Sequence, residues 1–276
     1  MLTSFLLAWR EGLEIALIVG IIFGALYRFK REDLFVTVEL GIASAIATSL
    51  VVAIALNIMG ASFEGDSEAI FEGVMMWMAA GLLTWMILWM QARAAQIKNL
   101  IQEDVRLASR AGKLSIFVLA FVAVVREGIE LAFFLTASVF TSNLSQTLLG
   151  AVGGLALALL MGWGLYRATI RLNLRSFFRV TSILLIFFAA GLVAHGTHEF
   201  NEVGFIPGII EPLWDVNNIL PEDSLVGQVA KTLFGYNGNP TLTEVISYLM
   251  YFAALYLAAR PRKVSLPASQ EVPTSG

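Results

Sequence analysis

Cysteine is absent from the sequence, histidine occurs only twice, and charged residues are few. Without cysteine the chain can form neither disulfide bonds nor thiolate metal sites, so a bound metal would need oxygen or nitrogen ligands. Only 14% of the 276 residues are charged, whereas a typical soluble domain contains about 25% charged residues. Together with a hydrophobic content of 58%, this shortage of charge indicates a membrane protein.

Seven apolar runs approach the roughly 20 residues that a helix needs to cross about 30 Å of hydrocarbon. They lie at about 4–26, 36–58, 70–90, 115–140, 147–166, 179–198 and 244–259. We therefore expect an all-α membrane protein with seven transmembrane helices, called predicted helices 1 to 7. A cleavable signal peptide is not expected, since residues 1–9 contain no Lys or Arg and charged residues interrupt the following apolar region.

Basic residues are concentrated on one side of the predicted helices. All Lys and Arg residues except Arg10, Arg126 and Lys231 lie in the connections after predicted helices 1, 3 and 5 or after helix 7. Acidic residues dominate the opposite side, around 64–72 and 199–244. Because basic loops stay in the cytoplasm, the N-terminus is predicted outside and the C-terminus inside.

Two nearly identical five-residue motifs lie 116 residues apart: REGLE at 10–14 and REGIE at 126–130. A weaker pair, AAGLLTW at 79–85 and AAGLVAH at 189–195, indicates a three-helix unit used twice. Because three is odd, the second unit would cross the membrane in the opposite orientation. The sequence thus predicts an inverted repeat of three plus three helices with an added seventh, and such folds bind substrate near the midplane.

The predicted domain organisation is a transmembrane domain over 1–260 and a polar tail over 261–276. The tail contains proline and is expected to be disordered in the cytoplasm. Repeat 1 covers about 1–92, repeat 2 about 113–200, the outer loop 200–243 and the last helix 244–259. Four prolines break the outer loop into short pieces, so we expect a partly helical outer cap.

Each motif places an arginine and two carboxylates on one helical face. Arg10 and Glu14 are four residues apart and Glu11 and Glu14 three apart, so their side chains lie side by side on a helix. Gly12 between them has no side chain and would let another helix approach closely. The second motif repeats the arrangement with Arg126, Glu127, Gly128 and Glu130.

Six charges at mid-membrane are expected to converge, because each one costs about 2.5–3.5 kcal/mol at the bilayer centre on insertion scales. Four carboxylates against two arginines leave a net charge of −2, which suits a hard cation. The predicted metal ligands are Glu11, Glu14, Glu127 and Glu130. The alternative is a pair of intrahelical ion pairs, Arg10–Glu14 and Arg126–Glu130, that only lock two helices together, which would leave Glu11 and Glu127 without partners.

Acidic residues and both histidines gather at the predicted outer ends of helices 3 and 6. We interpret part of this group as an outer site that collects cations; its residues are Glu68, Glu72, His198, Glu199 and Glu202. The alternative is a solvated acidic loop that sets topology or caps a helix. A metal-binding role for His195 rests on its position alone.

Five methionines occur in predicted helix 3: Met75, Met76, Met78, Met86 and Met90. They could suggest a copper path, but their spacing does not form one stripe along a helix. Ordinary packing is therefore expected for them.

Both motifs, the FEG at 71–73, the segment RLNLRSFFRVTS at 171–182 that leads into AAGL, and the LFGY at 233–236 resemble the oxidase-dependent iron transporter family. This family includes the fungal high-affinity iron permeases and bacterial permeases. The resemblance covers residues 1–260. The pair of motifs in helices of opposite orientation is its most specific feature.

The resemblance implies a multi-pass iron permease of the bacterial inner membrane and not an enzyme. It implies uptake of Fe³⁺ formed by a separate ferroxidase, which is a multicopper oxidase in fungi or periplasmic partner proteins in bacteria. The family's iron ligands map onto the four motif glutamates. Expected partners are iron, the lipid bilayer and the ferroxidase, with no nucleic acid and no permanently bound cofactor; the sequence leaves the oligomeric state open.

Two other functions remain open at this point. The same carboxylates would serve a proton-coupled transporter of another cation, such as Mn²⁺ or Pb²⁺. An intramembrane di-iron enzyme is less favoured, because the Glu-x-x-His pairs typical of helical di-iron sites are missing from the motif helices. The choice between Fe²⁺ and Fe³⁺ and the energy source are not determined by the sequence.

Overall fold

The computed structural model describes residues 1–93, 97–166, 174–222 and 224–259, and this part of the chain contains helices and no strand. The helices are α1 (Leu2–Arg28), α2 (Phe35–Ala61), α3 (Asp66–Arg93), α4 (Ile97–Ala111), α5 (Lys113–Thr141), α6 (Leu144–Tyr166), α7 (Leu174–Glu202), α8 (Leu225–Phe234) and α9 (Leu242–Ala259). A single 3₁₀ turn, Glu32–Leu34, precedes α2. The predicted all-helical class is confirmed for these residues.

Predicted helices 1 to 7 correspond to α1, α2, α3, α5, α6, α7 and α9. In the described part of the chain, five segments are long and apolar enough to cross a membrane: Glu32–Ala61, Asp66–Met90, Leu144–Gly164, Ser176–Glu202 and Leu242–Ala259. The remaining two long helices, α1 and α5, each carry the three charges of a motif. The count of seven spans and the repeat boundaries therefore stay predictions, and the tail at 261–276 lies outside the described residues.

Helices α4 and α8 have no counterpart among the predicted helices. The α4 helix follows α3 in a basic connection, and its residues Ile101, Val105 and Ala108 face the ends of α1 and α5. Arg31 fastens it there by donating a hydrogen bond from Nη1 to the carbonyl of Ser109, at 2.6 Å. The α8 helix lies within the predicted outer cap, where Ser224 caps its first turn and Gly235 ends it in a left-handed conformation.

The long helices pack in exchanged pairs. The first helix of each predicted repeat packs most extensively against the second helix of the other, α1 against α6 and α5 against α2, while α3 packs against α7. Two close contacts show the correspondence. A Cβ added at Gly41 of α2 would lie 2.8 Å from the carbonyl oxygen of Phe117, and one added at Gly150 of α6 would lie 2.3 Å from that of Met1.

Two apolar clusters lie on either side of the motifs along α1 and α5. The first joins α1, α3, α5 and α7 and includes Leu7 and Phe134; the second joins α1, α2, α4 and α5 and includes Ile22 and Ala120. Along α1 the motif lies between Leu7 and Ile22, and along α5 it lies between Ala120 and Phe134. The motif glutamates and Arg10 thus form a buried polar region with an apolar cluster on each side, whereas Arg126 is partly exposed.

Candidate metal centre

Three motif carboxylates meet between α1 and α5. Glu11, Glu14 and Glu127 each offer an oxygen, and these oxygens all lie within 4.8 Å of one another. Glu130 is also buried, but its carboxylate is held by Arg126, whose Nε donates to Oε1 at 3.1 Å. The structure therefore brings three of the four predicted ligands together and keeps the fourth on the arginine beside them.

Each motif arginine contacts both glutamates of its own motif. Arg10 is completely buried, with Nη1 at 3.3 Å from Glu11 and Nη2 at 3.1 Å from Glu14. Arg126 lies 3.3 Å from an oxygen of Glu127. The expectation that an ion-pair lock would leave Glu11 and Glu127 without partners is thus wrong, because an arginine side chain also reaches the carboxylate next to it in sequence.

Hydrogen bonding within the motifs is incomplete on the carboxylate side. In the described part of the chain, each glutamate has one buried oxygen that accepts no hydrogen bond: Glu11 Oε2, Glu14 Oε1, Glu127 Oε2 and Glu130 Oε2. The contact between Arg10 and Glu14 is consequently an ion pair without hydrogen-bond geometry. Buried polar atoms in proteins nearly always have partners, so unsatisfied carboxylate oxygens on four neighbouring glutamates suit a cation.

Helix α3 supplies further contacts to both arginines that the sequence interpretation missed. Arg10 donates from Nη1 to the sulfur of Met86 at 3.3 Å and from Nη2 to that of Met90 at 2.9 Å. The guanidinium carbon of Arg126 lies 4.9 Å from the ring centre of Trp89. The prediction that Met86 and Met90 serve ordinary packing is therefore incomplete. Their separation by one helical turn was the available signal.

The motif glycines lie where the exchanged helices approach. A Cβ at Gly12 would stand 2.7 Å from the Cβ of Ala158 in α6, and one at Gly128 would stand 2.7 Å from the Cβ of Ser49 in α2. Both distances are too short for any side chain. Glycine is therefore needed at both positions to bring the carboxylates of α1 and α5 next to the second helix of the other repeat.

The predicted outer residues form an acidic cavity at the ends of α3 and α7. The cavity has a volume of about 350 Å³ and is lined by Glu68, Glu72, Glu199 and Glu202, among others. His198 lies at its edge, with Nε2 at 3.3 Å from Glu202. The structure thus brings these five residues together.

Glu244 contacts the histidine at the edge of this cavity without lining the cavity itself. It was not among the predicted site residues. Its buried carboxylate contacts Nδ1 of His198 at 3.0 Å and accepts hydrogen bonds from Asn237 at 2.8 Å and the backbone N–H of Thr241 at 3.1 Å. These contacts fix the orientation of the imidazole. His195 instead contacts the carbonyl oxygen of Gly191 at 3.0 Å through Nδ1.

Comparison with known proteins connects this geometry to a family. The profile described as Iron permease FTR1 family matches residues 1–260. Proteins named ferrous iron permease EfeU are similar over almost the whole chain. The one from Escherichia coli O6:K15:H31 is 34% identical over 276 residues, covering 99% of this chain and 100% of its own. That from Yersinia pestis is 33% identical over 254 residues, covering 91% and 90%. No solved structure matches the chain.

Proposed function

This chain belongs to the iron permease FTR1 family, and we propose that its four motif glutamates form the site through which iron crosses the membrane. The predicted function, iron transport, is confirmed by the family, and a permease is a transporter rather than an enzyme. The apolar helices and the bacterial relatives agree with the predicted multi-pass protein of the inner membrane.

The unsatisfied carboxylate oxygens carry this proposal. Each of the four glutamates has a buried oxygen without a donor, and leaving a buried acceptor unsatisfied costs about 1–3 kcal/mol, more for a charged group. A metal ion between Glu11, Glu14 and Glu127 would coordinate such oxygens directly. Carboxylates are the hard ligands that iron in its oxidised state favours, and the chain contains no thiolate to select a softer metal.

The charge of the site bears on the form of iron that it accepts. With both arginines protonated and all four glutamates ionised, the site carries −2. We propose that iron arrives as Fe³⁺ formed by a separate ferroxidase and is bound with one hydroxide, because that pair carries +2 and neutralises the site. Fe²⁺ alone also carries +2, so supplying Fe²⁺ and Fe³⁺ separately distinguishes the two forms.

The exchanged packing supports the inverted repeat and a route for alternating access. Contacting residues correspond between the two helix pairs. On the second helices, Gly150 and Ala158 of α6 each lie 109 positions after Gly41 and Ser49 of α2; on the first helices, Phe117 of α5 lies 116 positions after Met1, which is also the separation of the two motifs. The contacts of α5 with α2 therefore repeat those of α1 with α6. We infer that the two exchanged helix pairs rock against each other and open one apolar cluster at a time.

The outer cavity is proposed to collect the cation before it reaches the motifs. Its carboxylates raise the local concentration of cations at the mouth, and His198 adds a nitrogen ligand that is oriented by buried Glu244. The cavity lies at the ends of α3 and α7 that we expect, from the charge distribution, to face outside. In this proposal a separate ferroxidase releases its product there.

The deciding experiment is iron uptake into proteoliposomes by wild type and by Glu11→Gln and Glu127→Gln, with Fe²⁺ and Fe³⁺ supplied separately. Glutamine keeps the size of each side chain and removes its charge, so uptake should be abolished while the protein still folds and inserts. Competition by Mn²⁺ and Pb²⁺, and uptake with and without a pH gradient, tests the alternative transporter. Undiminished iron binding and uptake in both variants would mean that the motifs are structural locks.

A further inference from the structure

The contacts of the two motif arginines on the side facing α3 are made with uncharged groups. Arg10 is completely buried, and besides the ion pairs with its two glutamates its guanidinium donates, among the described residues, only to the sulfurs of Met86 and Met90. Its Nε has no acceptor there. On the same side of the site, Arg126 lies over the ring of Trp89.

These neutral contacts matter because the arginines and the substrate compete for the same carboxylates. A cation that binds between Glu11, Glu14 and Glu127 takes oxygens from Arg10 and repels its positive charge. A buried guanidinium displaced into apolar side chains would have no partner at all, which is strongly unfavourable. A guanidinium displaced onto another carboxylate would be held there more strongly than by a neutral group and would be released less readily.

We propose that Met86, Trp89 and Met90 form an arginine cradle, which holds the motif arginines when iron displaces them from the glutamates. Thioether sulfur is a weak acceptor and the indole face attracts cations without carrying charge, so both stabilise a displaced arginine and still release it. This inference depends on the proposed iron site. It makes these three side chains positioning residues. They determine how readily the arginines yield to the substrate.

The two repeats differ in the kind of cradle that they use. Arg10 donates to both sulfurs, whereas Arg126 contacts the aromatic face and has a side chain that is 38% exposed. All three cradle residues lie within 86–90 of α3. Movement of this one helix segment would therefore act on both arginines at once, which couples the two halves of the site.

The test is the affinity of the purified full-length protein for Fe²⁺ without oxygen, measured by titration calorimetry. Met90→Leu keeps the volume but removes the acceptor, so binding should weaken by about tenfold. Met76→Leu is the matched control, because Met76 is also buried on the same helix but lies within the first apolar cluster, and its replacement should leave binding unchanged. Met90→Gln provides an amide oxygen and should restore most of the affinity.

A double-mutant cycle separates the cradle from general packing. If Met90 acts through Arg10, then Met90→Leu should have no further effect on Fe²⁺ binding in an Arg10→Gln background. Equal affinities of Met90→Leu and Met76→Leu, or an effect of Met90→Leu that persists without Arg10, would overturn the cradle. Glu11→Gln in the same assay distinguishes a failure of the cradle from a failure of the iron site. Unchanged Fe²⁺ binding by this variant would overturn the iron site itself. If the variant loses Fe²⁺ binding, the methionine variants test the cradle alone.

Discussion

Gly12 of α1 lies against Ala158 of α6 so closely that a Cβ on the glycine would stand 2.7 Å from the Cβ of the alanine. The glycine is in the middle of the first motif, and its neighbours Glu11 and Leu13 are fully buried. Helix packing and the placement of the motif carboxylates are therefore determined at the same position. A change in the distance between α1 and α6 would move the carboxylates.

We expect Gly12→Ala to separate these helices and to impair iron uptake severely, since overpacking of a tight contact typically costs 1–3 kcal/mol. Gly20→Ala is the control on the same helix, because a Cβ added there would have no atom of another described element within 4 Å. Alanine favours helix over glycine, so Gly20→Ala should fold at least as well as wild type. Thermal unfolding and uptake are measured for both; equal uptake would contradict the packing argument.

Replacing the two arginines by lysine should have unequal effects. Arg10 is completely buried and uses Nη1 and Nη2 for two carboxylates and two sulfurs, a set that a lysine ammonium cannot reproduce. Arg126 is partly exposed, so a lysine there can shift to find partners. Uptake should therefore fall further in Arg10→Lys than in Arg126→Lys. Equal activity in both variants would indicate that positive charge alone is needed.

The outer cavity should affect the apparent KM for iron more than the maximal rate. Neutralising Glu72 and Glu199 together removes two carboxylates from its lining, so we expect the KM to rise and the difference from wild type to shrink at high salt. Glu64→Gln removes a charge just before α3, outside the cavity lining, and serves as the control. A KM that is unchanged in the double variant would favour an acidic loop without a role in uptake.

The orientation in the membrane can be tested with single cysteines, since the chain has none of its own. Cysteine at Ser67 should react with an impermeant thiol reagent added outside, and cysteine at Ser265 only after the membrane is opened. Labelling of both positions from outside would reject the predicted topology and the inverted repeat with it.

Acid should weaken the contacts of Glu222 that hold the loop around α8. Burial alone would raise the pKa of Glu222, but hydrogen bonds from the backbone N–H of Gly238 at 2.9 Å and from Lys231 at 3.0 Å hold this pKa below its ordinary value. A lowered pKa stabilises the fold above the pKa of the unfolded chain, and this contribution disappears as pH falls through the folded value. Glu222→Gln should therefore reduce thermal stability at neutral pH and matter less in acid. A difference from wild type that is the same at both pH values would exclude this ionic anchor.

Local properties of the sequence determined the helices and the chemistry of the site. Hydropathy and spacing are read along the chain, so the seven long helices and the shared face of Glu11 and Glu14 follow from neighbouring residues alone. The duplicated motif likewise predicted that the charges converge, because isolated charges are too unfavourable at mid-membrane. The same pattern placed Gly12 and Gly128 at close helix contacts.

Only the tertiary structure decided which helix meets which. Nothing along the chain shows that α1 packs against α6 rather than α2, that α4 crosses the ends of α1 and α5, or that Met86 and Met90 reach Arg10. Glu244 is separated from His198 by 46 residues, and its role appears only when α9 comes beside α7. Such contacts depend on how whole helices are arranged, because a side chain has no distant partners until the helices pack.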